Sequence, residues 1–550
     1  MATNRIVEFA AENPVLAGII ALLPLLLILL RPDSNDPPSM PEAIPFVTNA
    51  YHFMTDTKSF TRRANDAMKS SNVVQLRLGP VRMYLVKGGQ QIQTMFRKSA
   101  SISSDKFVVM VLRNLQGSTP RDVERFAADL SGRAAAPAPG FEHIPQAERH
   151  WYWLHHITST RLARAEDTAR LAGSYDRFFG ECLEKQPKGE WATVRLFAML
   201  RRDMAASGIN SLCGTRLLET YPGFVEQFWR FDDVAYQCMY GLPKWIAPKP
   251  VEERDKLRQM AWDYLEEVLP TYDWAAAEAD GTWEPTLGSA YMRDLQKYLN
   301  SVDATTQTRS GFMIIAIFGT NSNTIPITAW VMMELLMDPS LMSAVRLEAN
   351  SAIVVDPDTG ARRFDGQKLV SMPLLQSVYV ECMRLHVSMG IMREVIEDTV
   401  LDGYRLRKGS FIQAPTNIMH QDEEIWGREG HAASEFWAER HVRDVKKGDG
   451  TTEKTFVLAG KPSEFFPFGR RWVDCDIGGG ISMCPGRHFA KQEILLTVAM
   501  LVTRFEIEFV EWTHMDGTTS DRPPQDNEKY FGNAAVPPDR DVKVRWKRLW

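Results

Sequence analysis

The chain of 550 residues is long enough to bury a large core, and its 44% apolar and 10% aromatic residues are typical of a globular protein. This composition excludes a disordered chain. The net charge of -5 at pH 7 gives no bulk attraction to nucleic acid, so we expect no nucleic-acid partner. The six cysteines form no Cys-x-x-Cys pair, which argues against a disulfide framework or a zinc site and favours a cytosolic location for the globular part.

Residues 1–31 contain a continuous apolar run from Pro14 to Leu30, which at about 17 residues just reaches the length of a membrane-spanning helix. A cleaved signal peptide is the alternative interpretation. However, Arg5 before the run is accompanied by Glu8 and Glu12, and no small-x-small cleavage site follows. We therefore predict an uncleaved signal anchor that crosses the membrane once.

The segment 32–45 is rich in proline, which cannot continue a helix and stiffens an extended chain. We expect it to act as a spacer that holds the globular body away from the bilayer, with the globular domain occupying residues 46–550. The prolines are Pro32, Pro37, Pro38, Pro41 and Pro45.

Apolar residues alternate on both sides of Gly79-Pro80, so Val73 to Val86 is predicted to form two short strands. Beyond these strands the patterns are mostly helical, and we expect a mainly α protein with a small β region. The stretch 116–145 is rich in Ala, Pro and Gly, which indicates a loop and a short helix that border a pocket.

Two aromatic-rich stretches follow. The first runs Trp151-Tyr152-Trp153-Leu154-His155-His156, where a solvent-facing or core role for the histidines competes with a role in ligand binding. The second, Tyr221 to Pro248, contains eight aromatic residues and one methionine in close succession. Such density is found in cores and in apolar ligand pockets, and the sequence leaves both interpretations open.

A long apolar helix is predicted from about Gly311 to Met337, buried because its first part is apolar all round. Polar residues Ser322, Asn323 and Thr324 interrupt it, and Pro326 predicts a kink because proline removes a backbone hydrogen bond. An ordinary kinked core helix is the alternative to a functional groove, and the polar interruption favours the groove.

Further along, Glu381 and Arg384 are spaced to lie on one face of a helix. A pair of this kind is also common on protein surfaces. Arg393 follows nine residues later, and Arg440 closes the run Phe436-Trp437-Ala438-Glu439-Arg440. A guanidinium fork at such a position suits a carboxylate, although Arg393 as a solvated strand-edge residue is the simpler alternative.

The most informative stretch surrounds Cys484. Three glycines, Gly478 to Gly480, let the backbone approach a flat object closely, and Pro485-Gly486 turns the chain into an apolar helix near Arg487. Glu493 follows nine residues after the cysteine. A thiolate held in such a turn is a metal ligand, whereas a buried structural cysteine is the alternative. Cys475 lacks the turn and is expected to be a loop residue.

This loop and helix resemble those of the cytochrome P-450 family, in which the cysteine thiolate is the proximal ligand of haem iron. The resemblance covers nearly the whole chain after the linker. It implies the mostly helical P-450 fold, with haem b between the helix at Gly311 to Met337 and the loop of Cys484. Gly480 and Gly486 would contact the haem.

The resemblance also assigns the remaining polar residues. Glu381, Arg384 and Arg440 would form a buried charge triad that fixes the haem-proximal core. Arg393 would bind a haem propionate. Since the family often has a Trp-x-x-x-Arg pair where this chain has Trp151 and His155, a second propionate contact is expected from His155 or His156.

The catalytic segment departs from the family pattern. Most members have an acid followed by threonine at the positions that match Ser322 and Asn323, a pair that passes protons to iron-bound oxygen. Here a relay would depend on water held by Ser322, Asn323 or Thr324, because the amide of Asn323 releases no proton at neutral pH. The run Asn-Thr-Ile-Pro resembles the branch of sterol 7α-hydroxylases and prostacyclin synthases.

Two further departures lie in the loop itself. Phe466-Pro467-Phe468-Gly469 precedes Cys484 by nine residues more than in the family, so 469–477 is interpreted as an insertion on the proximal face. It is expected to bring Arg470 and Arg471 near Arg487 and Lys491, where they favour an acidic electron donor. Ser482 stands where the family usually has arginine, which leaves the propionates more dependent on Arg393.

The function implied is a monooxygenase that takes electrons from NADPH through a membrane-bound reductase and hydroxylates a hydrophobic small molecule. The loop looks most like fungal members, so a terpenoid, steroid-like or polyketide intermediate of secondary metabolism is expected. The location implied is the endoplasmic reticulum membrane, with the catalytic domain facing the cytosol. The alternatives are a redox-neutral isomerase or dehydratase of the prostacyclin synthase type, which needs no proton relay, and a non-enzymatic haem or sterol binder.

Overall fold

The computed structural model describes residues 34–98, 100–239, 241, 243–280, 283–448, 450–471 and 481–550. Helices dominate, as the sequence predicts, and the sheets are small. The helices are α1 Thr48–Thr55, α2 Thr57–Ala67, α3 Gly89–Arg97, α4 Asp105–Met110, α5 Pro120–Ala128, α6 His150–Ala163, α7 Ala165–Glu184, α8 Leu196–Met199, α9 Ala205–Cys213, α10 Arg216–Thr220, α11 Phe224–Asp232, α12 Ala235–Met239, α13 Pro248–Val268, α14 Trp274–Asp280, α15 Ala290–Ser301, α16 Thr306–Asn321, α17 Thr324–Met337, α18 Pro339–Ser351, α19 Gly366–Leu369, α20 Pro373–His386, α21 Thr416–His420, α22 Glu423–Trp426 and α23 Arg487–Arg504.

The largest sheet pairs strands from distant parts of the chain in the order β1-β2-β10-β7-β16, with β3 also on β7. A second sheet has the order β15-β17-β4, and the other strands form hairpins. The strands are β1 Val73–Leu78, β2 Val81–Val86, β3 Ile102–Ser103, β4 Trp191–Arg195, β5 Ile353–Val355, β6 Arg362–Phe364, β7 Val387–Val395, β8 Thr399–Leu401, β9 Tyr404–Leu406, β10 Phe411–Pro415, β11 Val442–Lys446, β12 Thr452–Phe456, β13 Gly469–Arg471, β14 Ile481–Met483, β15 Phe505–Thr513, β16 Asn533–Ala535 and β17 Asp541–Arg548.

The predicted hairpin at Val73 to Val86 is confirmed as β1 and β2, which pair antiparallel from Val73 opposite Val86 to Leu78 opposite Val81. In its described part the proline-rich segment does not behave as a free spacer, because it lies along β1. The amide of Met40 donates to the Gln75 carbonyl oxygen (2.8 Å), and the Gln75 amide donates to the Pro38 carbonyl oxygen (2.9 Å). Asp36 also binds the Arg407 guanidinium through both carboxylate oxygens (3.0 and 2.9 Å).

The long buried helix is divided in two. It begins at Thr306, five residues earlier than the sequence pattern indicates, because the Thr305 hydroxyl caps it by accepting from the Thr308 amide. It ends at Asn321 and resumes at Thr324. Pro326 lies just past the break and has no N–H to continue the ladder.

Taken as one helix, Thr306–Met337 is long and apolar enough to span a membrane, and it is the candidate found among the described residues. Because 56% of its apolar window is buried by protein, it is a core helix. It packs in a large apolar core with α7, α9, α13, α20 and α23. The anchor predicted at residues 1–31 lies outside the described residues.

Candidate active site

Cys484 is held directly beside the Phe466 to Gly469 stretch. Strands β13 and β14 form a hairpin in which Gly469 pairs with Met483, and the Cys484 amide donates to the Phe468 carbonyl oxygen (2.8 Å). The hairpin therefore brings the early aromatic stretch to the cysteine. Residues 472–480, which include Cys475, Gly480 and most of the predicted insertion, lie outside the described part of the chain.

The surface that Cys484 leaves accessible contributes to the wall of a cavity. Surrounding protein raises the pKa of the thiol, while hydrogen bonds from the Gly486 and Arg487 amides and the charge of Arg487 oppose that rise. These donors point where a thiolate needs them, at the start of α23. A metal cation at this position would deprotonate the thiol outright.

The cavity above Cys484 has a volume of about 550 Å³, within the usual range for small-molecule sites. One wall is the loop of Cys484 with the start of α23, and the opposite wall is the broken helix. The remaining walls are largely apolar. Their residues include Phe107, Leu162, Leu212, Tyr236, Met239, Ile315, Ala316, Gly319, Val387, Met389, Ile391 and Ile494. None of residues 116–145, all of them described, lines the cavity; Phe107 of the preceding helix does so instead.

At the helix break, Asn323 and Thr324 both line the cavity. The Asn323 Oδ1 accepts a hydrogen bond from the Ala535 amide (3.1 Å), which fixes the side chain against β16. The Thr324 hydroxyl donates to the Thr320 carbonyl oxygen one turn earlier (2.5 Å). The Thr324 oxygen can still accept a hydrogen bond, and Thr324 lies within hydrogen-bonding reach of the Glu493 carboxyl group.

Ser322, the third residue assigned to this segment, is not brought to the cavity wall. Its hydroxyl donates to Asp232 Oδ1 on α11 (2.5 Å). Burial raises the pKa of Asp232 to about 7, and the Ser322 hydrogen bond and the charge of Arg201 oppose the rise. Ser322 thus ties the helix break to the neighbouring helix, a contact between residues 90 positions apart.

Arg393 on β7 lines the cavity without a carboxylate partner among the described residues. Its Nη1 donates to the Met392 carbonyl oxygen (2.9 Å), and its guanidinium lies 5.4 Å from the Phe96 ring centroid. Desolvation and, to a smaller extent, the charge of Arg133 lower the pKa of Arg393 to about 10, while the charge of Asp105 opposes the fall. A cation of this kind favours an anionic ligand.

The sequence did not single out Arg133. It contacts Asp105 (2.9 Å) and lies over the Trp151 ring, 5.7 Å from its centroid. The cation beside Trp151 was expected to come from the same helix, at His155. In the structure it is Arg133, from the preceding loop. Only the folded chain brings the two together.

His155 is not among the residues that line the cavity. Its imidazole hydrogen-bonds with the Ser159 hydroxyl (3.0 Å), along its own helix, while Thr158 and Leu162 reach the wall. His156 is exposed and stacks on Tyr152 at 5.5 Å. The structure therefore places neither histidine in the cavity wall, and the propionate contact expected from them stays a prediction.

Glu381, Arg384 and Arg440 form a fully buried charge cluster. Arg384 Nε and Nη2 both donate to the Glu381 carboxylate (2.8 Å each), and Arg440 Nε donates to the same group (2.7 Å). These bonds, together with buried His441, whose Nε2 lies 3.4 Å from Glu381 Oε2, lower the pKa of Glu381 to about 2 in spite of its burial. Five backbone carbonyl groups accept the other guanidinium hydrogens: His420, Trp426, Ala432, Ala433 and Glu435.

These observations fit a haem group. The thiol at the cavity wall can bind iron. The small residues Ala316 and Gly319 on the opposite helix leave space for a flat ring, and the nearby arginine without a salt bridge can bind a carboxylate of that ring. At Gly319 an added Cβ would meet nothing within 4 Å, so the helix leaves room there.

Comparisons with known proteins agree with this geometry. Residues 235–523 match the family described as Cytochrome P450. The chain is 44% identical over 536 residues to Cytochrome P450 monooxygenase calL of Penicillium decumbens, covering 97% of both chains. It is 26% identical to Cytochrome P450 monooxygenase fsoE of Humicola fuscoatra, over 93% of this chain and 87% of the relative. It is also 33% identical to 25-hydroxycholesterol 7-alpha-hydroxylase of Rattus norvegicus, over 41% of this chain and 50% of the relative.

Proposed function

The chain belongs to the cytochrome P450 family, and on that premise we propose that it hydroxylates an apolar small molecule with O2 and with electrons from NADPH, delivered by a membrane-bound reductase. The observation that carries the proposal is Cys484 in the wall of an apolar cavity, opposite the broken helix. Haem b, when bound, would supply the activation of oxygen. Cys484 would be its iron ligand, Gly486 would allow close approach, and Arg393 would bind a propionate.

The lining of the cavity supports an apolar substrate. Its side chains are mainly aliphatic and aromatic, contributed by α4, α9, α12, α16 and β7. Polar groups are concentrated at the helix break, where Asn323 and Thr324 can orient a ligand. Together with the fungal monooxygenases and the sterol hydroxylase among the relatives, this lining favours a terpenoid, steroid-like or polyketide intermediate of secondary metabolism.

The surface beside Cys484 supports an acidic electron donor. Arg487, exposed His488 and Lys491 follow one another at the start of α23. Burial is the main cause that lowers the pKa of His488, and the neighbouring charges of Arg487 and Lys491 lower it further, so the positive charge of this surface comes from those two residues. A positive surface steers a negatively charged partner toward it.

Exposed apolar residues support contact with a membrane. Trp245 is 83% exposed, and Ile44, Val47, Tyr51 and Ile246 are also exposed. The helix that contains Tyr51 contributes Phe53 to the cavity, and the helix that precedes Trp245 contributes Met239. An apolar substrate would therefore enter from the lipid side. With the anchor proposed at residues 1–31, we place the protein on the cytosolic face of the endoplasmic reticulum. Carbonate-resistant sedimentation with microsomes tests this location.

The carbon monoxide difference spectrum of the reduced full-length protein tests the haem-thiolate site. Wild type should show the strongly red-shifted Soret band, and Cys484→Ala should lose it. Cys182→Ala is the matched control, because Cys182 is half-buried and lies outside the cavity lining. Wild type that binds haem without the red-shifted band would contradict the proposal.

Dependence on NADPH separates hydroxylation from the isomerase alternative. A monooxygenase consumes NADPH and O2 as it forms product, whereas an isomerase rearranges an oxygenated substrate without them. Product formation by the haem-loaded protein in the absence of NADPH and reductase would favour the isomerase.

A further inference from the structure

One polar side chain stands in an otherwise apolar row that crosses the largest sheet. Gln413 on β10 lies opposite Leu85 on β2 and opposite Met392 on β7. Residues paired in this way project from the same face of a sheet, so the amide of Gln413 has an apolar side chain on either side. Leu85 belongs to an apolar cluster around Phe60, and Met392 packs against that cluster. The packing of the sheet therefore gives no reason for an amide at this position.

The Gln413 amide lies directly over Gly390 of the neighbouring strand. A Cβ added to Gly390 would overlap the amide group and lie 2.9 Å from Gln413 Cγ. Gly390 is two residues from Met392 along β7 and so belongs to the same face of the sheet. Gly390, Met392 and Gln413 all line the cavity. The absence of a side chain at Gly390 thus leaves a recess in the cavity wall, and the amide of Gln413 occupies it.

The side-chain amide of Gln413 forms no hydrogen bond with any of the described residues. Other polar groups of the cavity wall do have partners in the chain. Asn323 accepts from the Ala535 amide (3.1 Å), and the Tyr236 hydroxyl accepts from Gln237 (2.9 Å). An amide in an apolar wall is unfavourable unless something bonds to it. Because Gln413 is half-buried and its open surface faces the cavity, the missing partner must come from the contents of the cavity.

Gln413 and Arg393 belong to opposite faces of the sheet. Arg393 is paired with Ile412, the residue before Gln413, and its guanidinium lies over the Phe96 ring. Successive side chains of a strand point to opposite faces, so the amide and the guanidinium are directed apart. A haem carboxylate bound to Arg393 is therefore not the partner of the amide.

The face that carries Gln413 is the one covered by α1. Phe53 of α1 lines the cavity and packs against the same apolar cluster as Met392. The same helix carries the exposed Tyr51. The amide thus lies in the part of the wall that an apolar molecule passes when it enters from the lipid side.

We propose that Gln413 is a specificity-determining residue whose amide hydrogen-bonds an oxygen atom of the substrate. A carbonyl oxygen accepts from Nε2, and a hydroxyl group either accepts from Nε2 or donates to Oε1. The substrate is then an apolar molecule that already bears a carbonyl or hydroxyl group, and a reaction that supplies this oxygen must precede the one catalysed here. The inference rests on the proposed function, because it narrows the substrate class of the same cavity.

Binding of matched ligands to wild type and Gln413→Leu tests the proposal. The probes are 5α-androstane and its 3-keto and 17-keto derivatives, which share one apolar frame and carry a carbonyl group at one end or the other. Titration of the Soret band of the haem-loaded full-length protein gives each Kd. Gln413→Leu should weaken the binding of one ketone at least about tenfold and should not weaken the binding of androstane, because only the ketone loses a hydrogen bond. Equal changes for the ketones and androstane would overturn the proposal.

Two further variants of the same wall sharpen the test. Gly390→Ala should reproduce the effect of Gln413→Leu, because the added methyl group displaces the amide from its recess. Met392→Leu is the matched control, since it reshapes the same row without removing a polar group, and it should change the affinity for ketone and hydrocarbon alike. Unfolding of the apoprotein separates recognition from a structural role. A destabilised Gln413→Leu that keeps the wild-type preference for the ketone would assign Gln413 to the fold and overturn the proposal.

The titrations require neither NADPH nor reductase, so they are independent of the test of the proposed function. If ketone binding depends on Gln413 and wild type consumes no NADPH, the monooxygenase function fails while the assigned substrate class holds. If wild type consumes NADPH and Gln413→Leu discriminates between ketone and hydrocarbon as wild type does, the role of Gln413 fails alone.

Discussion

Two buried polar regions flank the haem-binding loop, and they differ in how completely their groups are paired. In the cluster of Glu381, Arg384 and Arg440, the carboxylate is bonded to both guanidinium groups, whose remaining hydrogens are directed at backbone carbonyl groups. In the cavity wall, by contrast, the Arg393 cation has no carboxylate and the Glu493 acid has no cation among the described residues.

The paired polar groups of the first region stabilise the fold, whereas the unpaired polar groups of the cavity wall are available to bind a ligand or a proton. A fully paired buried cluster fixes the segments whose carbonyl groups it binds, here the stretch from Trp426 to Glu435 against α20. An unpaired buried group costs stability, and it persists only where another role requires it. The two regions should therefore respond in opposite ways when a charge is removed.

The largest effect is expected from Glu381→Gln. Removing the carboxylate charge leaves two fully buried guanidinium groups without their counterion, which costs about 3–5 kcal/mol in the free energy of unfolding. Chemical unfolding of the apoprotein measures the loss. Glu508→Gln is the control, because Glu508 is 45% exposed in its pair with Arg545, and it should change stability by less than about 0.5 kcal/mol.

A comparison of wild type with Glu381→Gln also gives a prediction about the pH dependence of stability. The folded-state pKa of Glu381 is about 2, below its ordinary value of 4.5, so its contribution is fully present above about pH 4.5 and is lost as the pH falls toward 2. Over this pH interval the free energy of unfolding should fall more in wild type than in Glu381→Gln. Parallel curves for the two proteins would mean that Glu381 is not an ionised member of the cluster.

The paired region was much easier to anticipate from sequence than the unpaired one. Glu381 and Arg384 are neighbours on one helix, and the strands at Val73 to Val86 follow from alternating residues; both depend on local spacing. Arg133 beside Arg393, and Ser322 on Asp232, join residues far apart in the chain. No periodicity encodes such contacts. Glu493 was visible only as part of the cysteine motif, and its full burial close to Asn321 and Gly208 depends on two other helices.

An intermediate effect is expected from Arg393→Met. Loss of a charged hydrogen bond to a haem carboxylate should weaken haem binding by about 10- to 100-fold. The apoprotein should lose no stability, because the substitution removes a half-buried cation that forms no salt bridge among the described residues. Haem titration and apoprotein unfolding measure the two quantities, with exposed Arg545→Met as the control. A destabilised apoprotein with unchanged haem affinity would assign Arg393 to the fold instead of the ligand.

The smallest effect is expected at Asp232. Its carboxyl group accepts one hydrogen bond, from Ser322, so it is less completely paired than Glu381 but not unpaired. Its folded-state pKa of about 7 lies above the ordinary value of 3.8, so the folded protein holds a proton that the unfolded chain has released. Stability must then fall as the pH rises through this interval, by about 1 kcal/mol between pH 6 and pH 7. Asp232→Asn should remove that slope, since an amide accepts the Ser322 hydrogen bond without ionising. Unfolding midpoints at the two pH values measure it. An unchanged slope in Asp232→Asn would mean that the Asp232 carboxyl group is already ionised in the folded protein at pH 6. The Ser322 hydroxyl would then donate to a carboxylate instead of a neutral acid.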